Sequence, residues 1–152
     1  VISGTTDWLD KLQNINDLCI KKGGAFLYAS NFSLGVNIFF ELNKKLAKLM
    51  KNKNYKSKIH EIHHNQKLDT PSGTAITLGV QIDAILENRT RITADRIDDT
   101  VGTHRITYLS NLDEIEIKHT AKNRDGFAMG AIIAAEWIQG KKGIFSMKDV
   151  LA

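Results

Sequence analysis

Residues 60–75 read HEIHHNQKLDTPSGTA, and this stretch carries the most informative structural and chemical pattern in the chain. It predicts a strand that ends near His63, a polar loop over residues 64–72 that holds the only proline, and a helix that begins after Ser72. Serine often caps a helix N-terminus, because its hydroxyl accepts a hydrogen bond from a backbone N–H group of the first turn. We therefore expect a strand, a loop and a helix start to hold the polar side chains of this stretch.

Hydrophobic periodicity and turn residues on either side of this stretch predict alternating strands and helices. Ser30 and Asn31 are expected to cap a long helix that runs to about Met50, and Ser146 with Asp149 predicts a short C-terminal helix. The other predicted helices are 7–22, 73–86 and 127–138, and the predicted strands are 25–29, 55–63, 92–96, 102–109 and 114–120. Residues 1–6 are predicted to be the end of a strand followed by a Gly-Thr-Thr turn.

This order of elements predicts the α+β fold class, with a mixed β-sheet and helices packed on one face. The opening strand, helix and strand do not obviously belong with the rest, and we interpret them as the tail of a preceding α/β domain. The single cysteine, Cys19, excludes an internal disulfide, and its place on an apolar helix stripe predicts a buried thiol.

The bulk composition argues against several function classes. Hydrophobic residues make up 42% and charged residues 25% of the 152 residues, which is ordinary for a soluble domain. No apolar run approaches the roughly 20 residues of a membrane-spanning helix, and no export signal is visible, so we expect a cytoplasmic protein without a membrane partner. The net charge of +4 comes without a basic stripe carrying aromatic residues, which argues against a nucleic-acid partner.

Three side chains of the stretch can donate a proton or carry positive charge: His63, His64 and Lys67. Histidine titrates near neutral pH, and lysine supplies a fixed cation or an N–H donor. Such groups beside a helix start suit a substrate that carries a carboxylate and a basic or imine nitrogen. Reduction of an imine C=N bond requires hydride at carbon and a proton at nitrogen. We therefore expect a protein group to supply the proton and a nicotinamide cofactor to supply the hydride.

The helix that begins after Ser72 predicts an anion site. Its first turn offers free backbone N–H groups and the positive end of the helix dipole. Gly73 admits a ligand close to the backbone, and the hydroxyls of Ser72 and Thr74 add donors. The sequence lacks the Gly-Lys-Ser ending of a P-loop. A substrate carboxylate therefore fits this helix start better than a triphosphate.

A zinc-hydrolase motif overlaps the same stretch, since residues 60–64 formally match H-E-x-x-H. That motif binds zinc only on a helix, where two histidines four residues apart share one face. The flanking residues show no amphipathic helical stripe, and Pro71 follows closely. We therefore expect no metal at this motif and keep the zinc hydrolase as a minor alternative.

The pattern Glu61-x-His63-His64-x-x-Lys67-x-Asp69-x-Pro71-Ser72-Gly73-Thr74-Ala75 resembles the signature of dihydrodipicolinate reductases. The resemblance extends over nearly the whole chain. Further stretches that resemble the family are Val1–Thr6, Ala29–Asn37, Gly102–His104, His119–Arg124, Phe127–Ala131 and Gly143–Leu151.

The resemblance implies an enzyme that uses NADPH or NADH to reduce a cyclic imine, derived from 4-hydroxy-tetrahydrodipicolinate, to tetrahydrodipicolinate on the diaminopimelate route to lysine. It implies that His63 donates and accepts a proton and that Lys67 protonates the ring nitrogen. The substrate carboxylates would be bound by His64, Gly73 and Thr74, with Ser72 nearby. We add Arg124 as a second carboxylate contact, and the alternative is that it is a solvated loop arginine. The nicotinamide end of the cofactor would contact Gly4, Thr5, Thr6, Ala29, Ser30, Asn31 and Phe32.

The resemblance also implies a division of the chain. Residues 1–30 would be the tail of a truncated dinucleotide-binding (Rossmann) domain, residues 31–135 the substrate-binding, catalytic and tetramerisation domain, and residues 136–152 a C-terminal return segment. The second of these would have the family's C-terminal fold, which resembles that of glyceraldehyde-3-phosphate dehydrogenase, and its sheet would join those of its neighbours in a homotetramer.

Two features depart from the family pattern. No glycine-rich dinucleotide fingerprint occurs in the chain, so we expect these 152 residues alone to be inactive. The segment 88–101 is short compared with that of many relatives. The main alternative from another class is a non-catalytic module that binds a ligand or assists assembly. The sequence does not distinguish NADPH from NADH.

Overall fold

The computed structural model describes residues 1–5 and 8–152. They form two compact units, residues 1–38 with 125–152 and residues 39–124. The helices are α1 (Leu12–Lys21), α2 (Leu34–Met50), α3 (Gly73–Leu86), α4 (Asp125–Trp137) and α5 (Met147–Leu151). The strands are β1 (Ile2–Ser3), β2 (Ala25–Tyr28), β3 (Lys56–His63), β4 (Arg91–Arg96), β5 (Gly102–Leu109), β6 (Glu114–Ala121) and β7 (Gly143–Phe145).

The first unit contains a small parallel sheet in the order β1-β2-β7. Its core joins Leu27 of β2 to Ala134 of α4 and Met147 of α5, all of which are almost fully buried. Strand β7 was not predicted from the sequence. Only three residues long, it pairs with residues 25–27, so its formation depends on a partner far away in the chain.

The second unit contains a four-stranded mixed sheet in the order β4-β3-β5-β6. Strand β3 runs parallel to β4 and antiparallel to β5, and β5 runs antiparallel to β6. One face carries Ile59, Ile106 and Tyr108, which cluster with buried side chains of α2 and α3. The α+β class and the mixed sheet with helices on one face are therefore confirmed.

A buried amide fastens the two helices of this unit to each other. Asn43 of α2 is fully buried, and its Nδ2 donates to the backbone oxygen of Leu78 and to the side chain of Gln81 on α3. These bonds connect the middle of α3 to α2.

The predicted helices and strands are otherwise present, with ends that differ by a few residues. Helix α2 begins at Leu34, three residues beyond Asn31, whose Oδ1 accepts from the backbone N–H of Ser33. Cys19 is half-buried, not in the core as predicted, because α1 has no fully buried residue and its apolar stripe stays partly exposed. No helix in the described part of the chain is long and apolar enough to cross a membrane.

Candidate active site

Two adjacent strands bring three polar side chains together on the buried face of the larger sheet. Alternation along β3 places Glu61 and His63 on the same face as Ile59. The antiparallel register sets His104 of β5 directly opposite Glu61. Glu61 is fully buried, and both histidines are nearly so. The cluster is therefore assembled by strand pairing, not by closeness in sequence.

The carboxylate of Glu61 is the centre of this cluster. Its Oε1 accepts from the backbone N–H of Ser72 at 2.9 Å and from Nη2 of Arg96 at 3.3 Å. Its Oε2 lies 3.1 Å from Nδ1 of His63 and 3.6 Å from Nε2 of His104. Burial alone would raise the pKa of Glu61, but the hydrogen bonds from His104, His63 and Ser72 outweigh it and hold this pKa far below its usual value. Glu61 is therefore a buried anion.

Helix α3 begins beside this carboxylate. The hydroxyl of Ser72 accepts from the backbone N–H of Ala75 at 3.2 Å and lies 3.1 Å from Nε2 of His104, so this predicted ligand contact is buried and already bonded. In the part of the chain that the structure describes, the N–H groups of Gly73 and Thr74 keep no acceptor in the first turn. A side chain at position 73 would meet nothing within 4 Å. These two N–H groups are therefore open to an anion.

Lys67 lies on a loop that Arg96 fastens to the sheet. Arg96 donates through Nε to the backbone oxygen of Lys67 at 3.4 Å and through Nη2 to that of Asp69 at 2.7 Å. The Nζ atom of Lys67 forms an ion pair with Asp69 at 2.7 Å. The hydrogen bond from Lys67 lowers the pKa of Asp69. Arg96, a residue of the sheet, therefore holds the backbone on which Lys67 lies.

His64 and Arg124 line a shared cavity of about 620 Å³, together with Asn65, Gln66, Asp98, Asp99 and Val101. Backbone pairing continues past the end of β3, since the N–H of Ile97 donates to His63 and that of Asn65 donates to Asp98. This pairing holds His64 against the loop between β4 and β5. One arginine, one histidine and two aspartates thus line this cavity.

The predicted cofactor contacts lie in the other unit, where strands β1 and β2 run parallel. Gly4 and Thr5 follow β1, while Ala29, Ser30, Asn31 and Phe32 follow β2, so both segments leave the same edge of the sheet. A side chain at position 4 would lie 3.0 Å from the ring of Phe32. The carboxyl ends of parallel strands are where open α/β sheets bind ligands. Thr6 lies outside the described residues.

The H-E-x-x-H pattern lies at the end of strand β3, not on a helix. In an extended chain His60 and His64 are separated by about 13 Å, too far to share one metal ion. A different group, Glu61, His63 and His104, places its ligand atoms within 4.8 Å of one another. Arg96 already neutralises this carboxylate, which disfavours a second positive charge there.

Sequence reasoning assigned no role to Glu61, Arg96 or His104. Glu61 and His104 were noted only as parts of family patterns, and the alternation of β3 was the one signal that set Glu61 beside His63. Arg96 left no signal, because its contacts lie 26 to 35 residues away in the chain. The structure places His63 and Ser72 in the buried cluster and His64 with Arg124 in the cavity.

Known proteins match this chain over its whole length. The sequence model of the family "Dihydrodipicolinate reductase, C-terminus" matches residues 35–151. The 4-hydroxy-tetrahydrodipicolinate reductase of Christiangramia forsetii is 53% identical over 165 residues, which cover 100% of this chain and 69% of that protein. The enzyme of the same name from Aquifex aeolicus is 37% identical and covers 99% of this chain and 63% of that protein.

A solved structure has the same fold. It is a dipicolinate-bound dihydrodipicolinate reductase from Paenisporosarcina sp. TG-14, with a TM-score of 0.75 and 22% identity over 95% of this chain and 62% of that one. The chain thus spans about two thirds of the length of the relatives it matches. Its relatives are oxidoreductases by name. By the family match and the identity over its whole length, the chain belongs to the dihydrodipicolinate reductase family.

Proposed function

We propose that this chain forms the substrate-binding and proton-donating part of a 4-hydroxy-tetrahydrodipicolinate reductase. The reaction would reduce the cyclic imine derived from 4-hydroxy-tetrahydrodipicolinate to tetrahydrodipicolinate. One observation carries the proposal: an anchored imidazole, His63, lies within one buried cluster with the start of α3, whose N–H groups are open to an anion. A proton donor beside an anion site matches an imine that carries carboxylates.

The nicotinamide, when bound, supplies the hydride for the carbon of the C=N bond, and the protein must supply the proton for nitrogen. Lys67 is the proposed donor to the ring nitrogen, because an ammonium group has three N–H donors and its loop is held by Arg96. His63 is the proposed group that donates and accepts a proton in the same site. His63 lies on strand β3, and Arg96 of β4 holds the loop of Lys67. Both donors therefore have a fixed backbone from which to reach the substrate.

The proposed substrate class is a small planar dicarboxylate. The N–H groups of Gly73 and Thr74 would bind one carboxylate, with the hydroxyl of Ser72 behind them. His64 and Arg124 would bind the other in the cavity that they line. Asp98 and Asp99 face the same cavity, so only the side with His64 and Arg124 suits an anion. Dipicolinate in the related Paenisporosarcina structure supports this class.

The proposed cofactor is NADPH or NADH. Gly4, Thr5, Ala29, Ser30, Asn31 and Phe32 fit its nicotinamide end, because they leave the carboxyl edge of a parallel sheet where position 4 has no side chain; Thr6 is assigned by the family resemblance alone. We further propose residues 1–30 as the tail of a dinucleotide-binding domain, 31–135 as the substrate domain and 136–152 as a return segment. The 152 residues alone would be inactive.

The assembled enzyme is proposed to be a cytoplasmic homotetramer. Strand β6 is an edge strand of the larger sheet, and most of its side chains are exposed, including Ile115 at 38%. A long edge strand is commonly covered by a neighbour. Light scattering on the natural full-length polypeptide that carries this chain tests the assembly, and a monomer at working concentration contradicts it.

Replacement of the proposed donors tests the function. In the full-length polypeptide, His63→Gln and Lys67→Gln should each lower kcat by roughly 100-fold or more, as expected for loss of a positioned proton donor. The matched controls are His60→Gln, on the opposite face of the same strand, and Lys53→Gln, on an exposed turn. Both controls should keep activity within about threefold of the unchanged enzyme.

Titration calorimetry with pyridine-2,6-dicarboxylate separates binding from turnover. Arg124→Gln should weaken the binding of this planar dicarboxylate by roughly tenfold, the effect of one lost charged contact. Binding without reductase activity in the full-length polypeptide would instead support a non-catalytic ligand-binding module. Full activity of both His63→Gln and Lys67→Gln would contradict the assigned roles.

A further inference from the structure

The fully buried carboxylate of Glu61 touches one of the two proposed proton donors and is linked to the other. We propose that Glu61 is a positioning residue, which fixes the imidazole of His63 through Nδ1 and, through Arg96, the loop that carries Lys67. This inference rests on the proposed function, since it concerns how the two proton donors of that reaction are held. It assigns Glu61 and Arg96 no contact with substrate.

The contact with Glu61 sets the direction of the His63 ring. Oε2 of Glu61 lies 3.1 Å from Nδ1, and neither atom has another hydrogen-bond partner among the described residues. An ionised carboxylate can only accept a hydrogen bond, so the proton in this contact is assigned to Nδ1. The remaining nitrogen, Nε2, is then the one that exchanges a proton with a ligand.

The backbone of Gly102 lies close to Nε2 of His63. A side chain at Gly102 of β5 would lie 3.0 Å from Nε2 and 3.2 Å from Cδ2 of His63. The ring therefore rests against bare backbone on this side, while its Nδ1 side faces Glu61 and its edge meets His104, with ring centres 5.1 Å apart. Neighbours on three sides leave the imidazole little freedom to flip.

Glu61 itself is held by several groups. Its other oxygen, Oε1, is bonded to the backbone N–H of Ser72 and to Arg96, and His104 lies near Oε2 at 3.6 Å. Removing a buried carboxylate from water is costly unless such partners replace the lost hydration. A residue needed only to fill this space would be apolar, as Ile59 is two positions earlier on the same face.

Arg96 connects Glu61 to the loop that carries Lys67, the second proposed donor. Arg96 joins Oε1 of Glu61 to three groups of the loop, namely the backbone oxygens of Lys67 and Asp69 and the hydroxyl of Thr70. The guanidinium group is planar and keeps its donors in a fixed arrangement. Because one carboxylate anchors both His63 and Arg96, a change at Glu61 should disturb both proton donors while leaving the cavity of His64 and Arg124 in place.

The test uses Glu61→Gln, which keeps the shape and the oxygen that accepts from Ser72 but replaces Oε2 with an amide donor. Nitrogen-15 NMR of labelled histidine should show neutral His63 protonated at Nδ1 in the unchanged protein and at Nε2 in Glu61→Gln, with His63→Gln used for assignment. Glu61→Asp should keep the Nδ1 form. Glu87→Gln, a change at an exposed glutamate on α3's end, should leave the signals unchanged.

The kinetic part uses the full-length polypeptide. In Glu61→Gln, kcat should fall by roughly 100-fold or more while KM changes less than about threefold, since amide-for-carboxylate changes behind a histidine act through the wrong tautomer. Glu61→Asp should recover part of kcat. A fall in affinity for pyridine-2,6-dicarboxylate equal to the fall in kcat would point to a merely structural role and overturn the proposal.

The outcomes separate the two proposals. If the unchanged enzyme shows no reductase activity, the proposed function fails, and the tautomer measurement still decides whether Glu61 holds His63. An identical tautomer in the unchanged protein and in Glu61→Gln would overturn the positioning role even if the enzyme is active. Stoichiometric metal in the purified protein that is lost in both Glu61→Gln and His104→Gln would overturn it as well, since those residues would then be ligands.

Discussion

The same two strands, β3 and β5, bury an apolar pair at one position and a polar pair two residues further along. Ile59 stands opposite Ile106, and Glu61 stands opposite His104, on the same face of the sheet. We call Ile59, Ile106 and Tyr108 the apolar end, and Glu61, His63 and His104 the polar end. All six residues are at most 8% exposed.

The apolar end contributes mainly to stability, and the polar end forms the candidate site. The apolar end gains free energy by leaving water, whereas the polar end must recover through hydrogen bonds what its groups lose in hydration. Glu61 recovers it from Ser72, Arg96 and the two histidines. The apolar end therefore fixes the strand register, and the polar end uses that register to bring together residues distant in sequence.

The largest stability effect should come from the apolar end. Ile106→Ala removes a fully buried side chain between the sheet and its helices and should lower the free energy of unfolding by about 2–5 kcal/mol. Urea unfolding measures it, with Leu112→Ala, at a side chain that is 95% exposed, as the matched control. A loss below about 1 kcal/mol would mean that this end does not anchor the sheet.

The polar end should dominate the response to acid. The lowered pKa of Glu61 adds stability that is complete above the value of an unfolded glutamate, 4.5, and is lost as the pH falls toward the native pKa. Glu61→Gln should be less stable at pH 7 by about 1.5–3 kcal/mol, and this gap should narrow as pH falls below 4.5. Unfolding at several pH values measures it, and a gap that widens in acid would contradict the account.

Gly102→Ala tests the polar end alone, because it disturbs His63 without touching the apolar end. The added methyl group would lie 3.0 Å from Nε2 of His63, so the ring must move by a few tenths of an ångström. We expect kcat of the full-length polypeptide to fall about tenfold, with stability changed by less than about 1 kcal/mol. An unchanged kcat would show that the ring position has more tolerance than proposed.

The smallest effect is expected at Tyr108, the one member of the apolar end with a polar atom. Its hydroxyl is buried with no hydrogen-bond partner among the described residues, and burial raises the pKa of Tyr108 to about 12. Tyr108→Phe should leave stability unchanged or raise it by up to about 1 kcal/mol, since an unpaired buried hydroxyl is costly. A clear loss of stability would reveal a bound water or partner at this hydroxyl.

Much of this molecule follows from local pattern. Strand β3, the loop after it and helix α3 were predicted correctly because their signals, namely alternation, polar residues with proline and a serine cap, act within a few residues. The candidate residues from His63 to Thr74 lie within the same short stretch. Strand β7 and the half-burial of Cys19 were missed, because both depend on how distant segments pack.

The sequence alone determined the family, the α+β class and the positions of the proposed proton donors, because the signature is contiguous and each part of it acts locally. Only the tertiary structure decided that Glu61 is the hub of the polar end. Its partners Arg96 and His104 come from other strands, and their approach depends on the register of β3 with β4 and β5. That register is set by side-chain burial over the whole sheet, which no single stretch of sequence encodes.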